Sequence, residues 1–174
     1  IGGNGTIKQT KSIASAINTI QVAAAPKTVD NDLGDKQFSE LWHTPGFSSC
    51  VNYWRHKMQM LNNENIGAHS HDKVLIAQTF GRETGHIVGS LRYFDPERKT
   101  PLILLIPEDQ QSSDKVLAKI DNTLQKFDRA IIGICEGYYI DKCDYQYDFS
   151  GQKMYGSSKS SAMQQLINLC MQNN

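Results

Sequence analysis

Lys27, Thr28, Asp30 and Asp32 fall within one heptad, Pro26-Lys27-Thr28-Val29-Asp30-Asn31-Asp32. Two carboxylates, a hydroxyl and an ammonium this close together meet the needs of phosphoryl transfer to a sugar hydroxyl. That reaction takes a base beside the hydroxyl, a cation beside the phosphate and an oxygen ligand for magnesium. Asp and Asn also favour solvated turns for local reasons, and the heptad alone leaves the two readings even. Three other short stretches carry chemistry. Gly2-Gly3-Asn4-Gly5-Thr6 is a glycine-rich turn running into a helix, whose free N–H groups suit a phosphate, although such turns also serve as plain connections. Thr79-Phe80-Gly81-Arg82-Glu83-Thr84-Gly85 puts Arg82 at a strand-to-helix turn. There a guanidinium grips phosphate through two parallel hydrogen bonds, or is simply a surface cation at a helix start that slightly disfavours it. Cys135-Glu136-Gly137-Tyr138 sets a carboxylate just past an apolar run. It either binds a ligand hydroxyl or marks where a strand meets water.

The elements that must position these groups alternate along the chain. Apolar periodicity predicts a helix over 7–17, a strand over 20–25 stopped by Pro26, and a helix from Thr44 to about Leu61. Thr44 stands as its N-cap and Pro45 at its first position. Strands follow over 74–79, 102–106 and 130–135, with helices over 83–92, 114–127 and 158–171, and 141–156 reads as loop. Unbroken apolar runs such as Leu102 to Ile106 suit strands buried on both faces. The expected fold is therefore α/β, a mostly parallel sheet with helices on both faces, forming one region over 1–174. In such sheets ligands gather at the carboxyl ends of the strands, where all four stretches lie.

Composition narrows the class of function. Lys+Arg 18 balances Asp+Glu 18 in 174 residues, so no basic field draws nucleic acid or an anionic membrane. No apolar run approaches the roughly 20 residues that span a bilayer. Cys50, Cys135, Cys143 and Cys170 form no Cys-x-x-Cys pair and read as free thiols in a reducing, cytoplasmic setting. His69-Ser70-His71 reads as solvated rather than metal-binding. The opening Ile1-Gly2-Gly3-Asn4 is neither a methionine start nor a signal peptide, and the chain is expected to be incomplete at both ends.

The order Gly-Gly-x-Gly-Thr, Pro-Lys-Thr-Val-Asp-Asn-Asp, Gly-Arg-x-x-Gly, Ile-Pro-Glu and Glu-Gly resembles the phosphofructokinase family over nearly the whole chain. Thr44-Pro45-Gly46-Phe47-Ser48-Ser49 and Asp148-Phe149-Ser150-Gly151 look like the branch that includes pyrophosphate-dependent members. The resemblance implies phosphoryl transfer from ATP or pyrophosphate to the 1-hydroxyl of fructose 6-phosphate, with Mg2+ and in a homo-oligomer or with other segments of the same enzyme. It makes Asp30 the base, with Thr28 and Asp32 beside it, and places Lys27 near the transferring phosphate. Phe80, Gly81 and Arg82 become the turn that contacts the sugar phosphate, and Glu136 the carboxylate that binds the sugar. Gly3, Asn4, Gly5 and Thr6 become the donor turn, and Lys73 stands where some members reach a neighbouring subunit's sugar phosphate. In the family, glycine at position 5 accompanies ATP, whereas Lys27 and the branch features lean towards pyrophosphate. Asn4 replaces an acidic residue associated with magnesium and is a weak ligand at best. Gln78 and Phe80 also depart from the pattern, and with Asn4 they favour the alternative of a non-catalytic regulatory or degenerate subunit that binds phosphorylated ligands. A different kinase with a similar glycine turn is disfavoured by the Lys27 to Asp32 stretch.

Overall fold

The computed structural model describes residues 1–17, 19–33, 42–140, 147 and 161–173. Three strands, β1 (Val74–Thr79), β2 (Leu102–Leu105) and β3 (Ala130–Cys135), form a parallel sheet in the order β1-β3-β2. Ala77 and Leu104 both stand opposite Gly133 in the register. The described residues also form five helices: α1 (Asn4–Ala16), α2 (Phe47–Ala68), α3 (His86–Ser90, continued by a 3-10 turn over Leu91–Phe94), α4 (Ser113–Phe127) and α5 (Ala162–Gln172).

The fold is α/β, as the alternation of elements implies. β3 is central, and all six of its residues are buried, so both faces of the sheet are covered. Right-handed crossovers give the reason: β1 to β2 crosses the sheet one way through α3, and β2 to β3 returns the other way through α4, which puts the two helices on opposite faces. Fully buried Ile131, Ile132 and Ile134 fill the core with Met58, Leu91, Val116 and Leu166. Each such side chain contributes about 1.5–3 kcal/mol on leaving water. Gly133 has a packing reason, because a Cβ there would lie 2.5 Å from the Leu91 side chain.

Several expectations are corrected. Residues 20–25 form no strand: among the described residues the pairing here is limited to one parallel bridge between Gly2 and Pro26, just past them. The chain turns into α1 at Asn4, and Pro26 brings no N–H to extend a ladder. Thr44 does not cap α2, which begins at Phe47 behind Gly46 in a left-handed conformation, φ 93°. The helix then runs past Leu61 to Ala68, because buried Asn65 finds partners in the Lys73 carbonyl and the Arg129 guanidinium. The helix expected from Glu83 starts at His86, since Gly81 adopts φ 120° and residues 82–85 form a turn. β2 ends one residue early at Leu105. The loop expected over 141–156 lies outside the described residues except Tyr147, as do residues 158–160 of the tail helix.

Candidate active site

The heptad loop leaves the Gly2–Pro26 bridge and passes the carboxyl ends of β1 and β3. Gly2 N–H donates to the Ala25 carbonyl at 3.1 Å, and Lys27 N–H donates to the Gly2 carbonyl at 2.9 Å. Gly3 then lies so close to the loop that a Cβ on it would sit 3.5 Å from Thr28 Cβ. The glycine turn and the heptad are therefore one structure. The N–H groups of Asn4, Gly5 and Thr6 in the first turn of α1 open beside Lys27 and Thr28, with no side-chain cap.

Asp30 is buried to 7% exposure, and its N–H donates to Thr28 Oγ1 at 3.2 Å. Its carbonyl accepts from Thr84 Oγ1 at 2.9 Å, which ties the loop to the turn after β1. Across from it lies Arg82, with Nε 4.0 Å from Asp30 Oδ2. Burial, and then the charge of Asp32, push the Asp30 carboxyl above its ordinary range, against the opposing pull of Arg82 and Lys27. Glu136 is raised in the same way, by burial and then by Asp30, against Arg82 and a hydrogen bond from Gly81. Asp32 Oδ1 is buried with no hydrogen-bond partner among the described residues. The Cys50 thiol, pushed up by burial and then by Asp30, marks where the first turn of α2 nears the same carboxylate.

The two strand-exit turns interlock. Glu136 N–H donates to the Thr79 carbonyl at 3.0 Å and Gly137 N–H to the Gly81 carbonyl at 2.9 Å. A Cβ on Gly137 would lie 1.8 Å from the Arg82 carbonyl oxygen, so only glycine lets the turns meet. Phe80 projects from this corner, 59% exposed. Thus Lys27, Thr28, Asp30, Asp32, Gly81, Arg82 and Glu136 converge on one corner of the sheet, with the Gly3 to Thr6 turn against it.

Lys73 does not join them. It precedes β1 at the opposite end of the sheet and pairs with Asp128, so the corner built by this chain excludes it. Gln78 accepts from Met163 N–H at 2.9 Å and serves the start of α5. His69 Nδ1 meets the Ile66 carbonyl, and His71 lies beside Asp72. Cys50, Cys135 and Cys170 are free thiols, and Cys143 lies outside the described residues. Among the described residues no helix is long and apolar enough to cross a membrane.

Four residues of the corner make contacts that the sequence reading does not assign to them. Thr44 and Asn31 hold the loop, Thr84 holds Asp30, and Glu108 accepts from Gly85 N–H at 2.8 Å to fix the start of α3. Glu108 had a signal, since it follows the apolar run of β2 much as Glu136 follows β3.

A family model described as phosphofructokinase matches residues 1–171. This chain belongs to the phosphofructokinase family. Among its phosphofructokinase relatives is the ATP-dependent 6-phosphofructokinase 3 of Streptomyces coelicolor, 25% identical over 170 residues, covering 97% of this chain and 46% of that protein. The sulfofructose kinase of Alkalicoccus urumqiensis is 26% identical over 145 residues, covering 81% of this chain and 37% of that protein. A solved pyrophosphate-dependent phosphofructokinase from Nitrosospira multiformis superposes with a TM-score of 0.65 at 27% identity, covering 83% of this chain and 37% of that one. The chain thus spans less than half the length of these phosphofructokinase-family relatives.

Proposed function

We propose that this chain carries the catalytic corner of a 6-phosphofructokinase, transferring a phosphoryl group from ATP or pyrophosphate to the 1-hydroxyl of fructose 6-phosphate. One observation supports this above the rest: a buried carboxylate, Asp30, faces Arg82 beside a helix start with open N–H groups. Asp30 takes the proton from the 1-hydroxyl as that oxygen bonds to the terminal phosphorus. The bond from phosphorus to the bridging oxygen breaks, and ADP or phosphate leaves. The raised affinity of Asp30 for a proton makes it a better base than a solvated aspartate. Lys27 and Arg82 offset charge on the phosphates, the first turn of α1 receives the donor, and Glu136 holds a sugar hydroxyl. Lys73 acts in a neighbouring subunit's site.

The residues present fit magnesium. Asp32 Oδ1 is a buried oxygen without a hydrogen-bond partner among the described residues, and Mg2+ is commonly bound by one or two carboxylates plus substrate phosphates. Asp32 would hold it, and the neutral Asn4 amide of the donor turn would be a weaker oxygen ligand. When bound, the ion neutralises charge on the transferring group.

The test is bisphosphate formation by the protein as its source makes it, with ATP and pyrophosphate in parallel, and with sulfofructose as a second acceptor because one relative bears that name. Asp30→Ser should lower kcat about 10²–10⁴-fold, the usual worth of a general base. The uncharged Asn4 favours a second reading, a subunit that binds phosphorylated ligands without turnover. A folded protein that binds fructose 6-phosphate, turns over with neither donor and does not respond to Asp30→Ser would establish that reading instead.

A further inference from the structure

The Lys27 to Asp32 loop belongs to no helix or strand, so no regular ladder holds its two carboxylates in place. A single distant residue meets it on both sides of Asp30. Thr44 is fully buried; its hydroxyl donates to the Thr28 carbonyl at 2.5 Å, and its N–H donates to Asn31 Oδ1 at 2.8 Å. Asn31 itself is 6% exposed and left-handed, φ 56°, a conformation asparagine tolerates better than most residues. It stands between Asp30 and Asp32, so the direction of both carboxylates depends on that backbone twist.

The way Thr44 is used separates this from ordinary helix capping. A threonine just before a helix normally turns its oxygen to the helix N–H groups. Here α2 starts behind Gly46 with no side-chain cap, while the Thr44 hydroxyl points its hydrogen at the loop. The Thr44 carbonyl closes the turn into α2 by accepting from Phe47 N–H at 3.1 Å. The residue thereby couples the first turn of a 22-residue helix to the loop that bears the base.

We propose that Thr44 is a positioning residue: through Thr28 and Asn31 it fixes the orientation of Asp30 and Asp32 towards the reacting hydroxyl. The role of the base rests on the phosphotransfer reading, whereas the clamp itself rests on the hydrogen bonds. A misplacement of about 1 Å costs a reaction of this kind on the order of 100-fold, so a loosened loop should act on kcat more than on KM.

Thr44→Val keeps the shape and the N–H while removing the donor; Thr44→Ser keeps the donor. In the protein as its source makes it, Thr44→Val should lower kcat about 10- to 100-fold with KM for fructose 6-phosphate changed much less, and Thr44→Ser should restore most of it. Hydrogen exchange read on the same proteins should show faster exchange of the 27–32 amides in Thr44→Val, with β3 amides unchanged. Unchanged exchange at 27–32 would overturn the clamp. So would a kcat within twofold of the parent, or an equal loss in the serine variant. If the parent shows no turnover at all, the phosphotransfer reading fails, and the exchange comparison still decides the clamp by itself.

Discussion

Two aspartates are equally buried, 7% exposed each, and sit in opposite surroundings. Asp95 lies in the well-packed region around the sheet. Its carboxylate accepts from Lys99 N–H at 3.0 Å, from Thr100 N–H at 2.8 Å and from Arg92, whose other nitrogen donates to the Leu102 carbonyl. Burial pushes its pKa up, but the Thr100 and Lys99 N–H groups and Arg92 outweigh burial and leave it below the ordinary value. Asp30 lies in the first 33 residues, where α1 buries no side chain and, among the described residues, the stretch before Asp30 pairs only through the Gly2–Pro26 bridge. Burial and Asp32 push it up against the weaker pull of Arg82 and Lys27, and among the described residues no backbone N–H offsets them. One carboxylate is satisfied and serves the fold. In the other, burial favours the protonated form, which suits a group proposed to accept a proton. The loosely packed region thus carries the proposed base, and Thr44 and Thr84 tie it to the rest of the fold by hydrogen bonds.

The sharpest way to break this contrast is to neutralise each aspartate. Asp95→Asn turns an amide NH2 towards backbone donors and should cost about 1–3 kcal/mol near neutral pH. A depressed folded pKa gives stability that is complete above the unfolded value of about 3.9 and is lost as pH falls through the folded one. The gap between parent and Asp95→Asn should therefore close in acid. Asp30 has the opposite sign, since its raised pKa favours the protonated fold at low pH and that advantage disappears as pH rises. Asp30→Asn should leave neutral-pH stability unchanged or higher. Denaturant titrations of both variants across pH decide it, and equal losses in the two would mean the aspartates do the same job.

A smaller effect concerns the cause of the Asp30 shift. A base at Asp30 would work deprotonated, so kcat/KM should fall as pH falls through its raised pKa. Asp32→Asn removes the repulsion and should move this acid limb to lower pH, whatever it does to the maximum rate. Comparing parent and variant cancels the substrate's own ionisation. An unmoved limb would mean that burial alone raises Asp30 or that another group titrates.

How much of this was legible in the sequence divides along the same line. β1 and β3 occupy the expected residues: the apolar run of β3, ending at Glu136, states its burial locally, and Val74 to Ala77 do the same for the first four residues of β1. Residues 20–25 have the same apolar look and form no strand, because a strand exists only with a neighbour and pairing is not a local property. Asp30, Arg82 and Glu136 were legible as chemistry at strand exits. Thr44 was misread as a helix cap because its local context, followed by Pro45, fits one. Its actual bonds reach back to Thr28 and Asn31, and no spacing rule encodes a hydrogen bond across that gap. Thr84 was hidden in the same way, its hydroxyl reaching a backbone oxygen far back in the chain.

The smallest expected effect tests whether the first region is as loosely packed as described. Ile13 on α1 is 50% exposed, and Ile20 just beyond the helix is 52% exposed. A side chain so exposed has little transfer energy to lose, and surface changes away from caps and networks usually fall within about 0.5 kcal/mol. Ile13→Ser should thus shift the unfolding midpoint hardly at all, and the slope of denaturant unfolding should stay the same. Serine is a slightly poorer helix former than isoleucine at most, so propensity does not confuse the reading. A cost of about 2 kcal/mol or more would be that of a core position. It would mean the face of α1 is packed in solution against something beyond the described residues. The base would then sit on a region as firmly held as the sheet, and the tie through Thr44 would be one support among several.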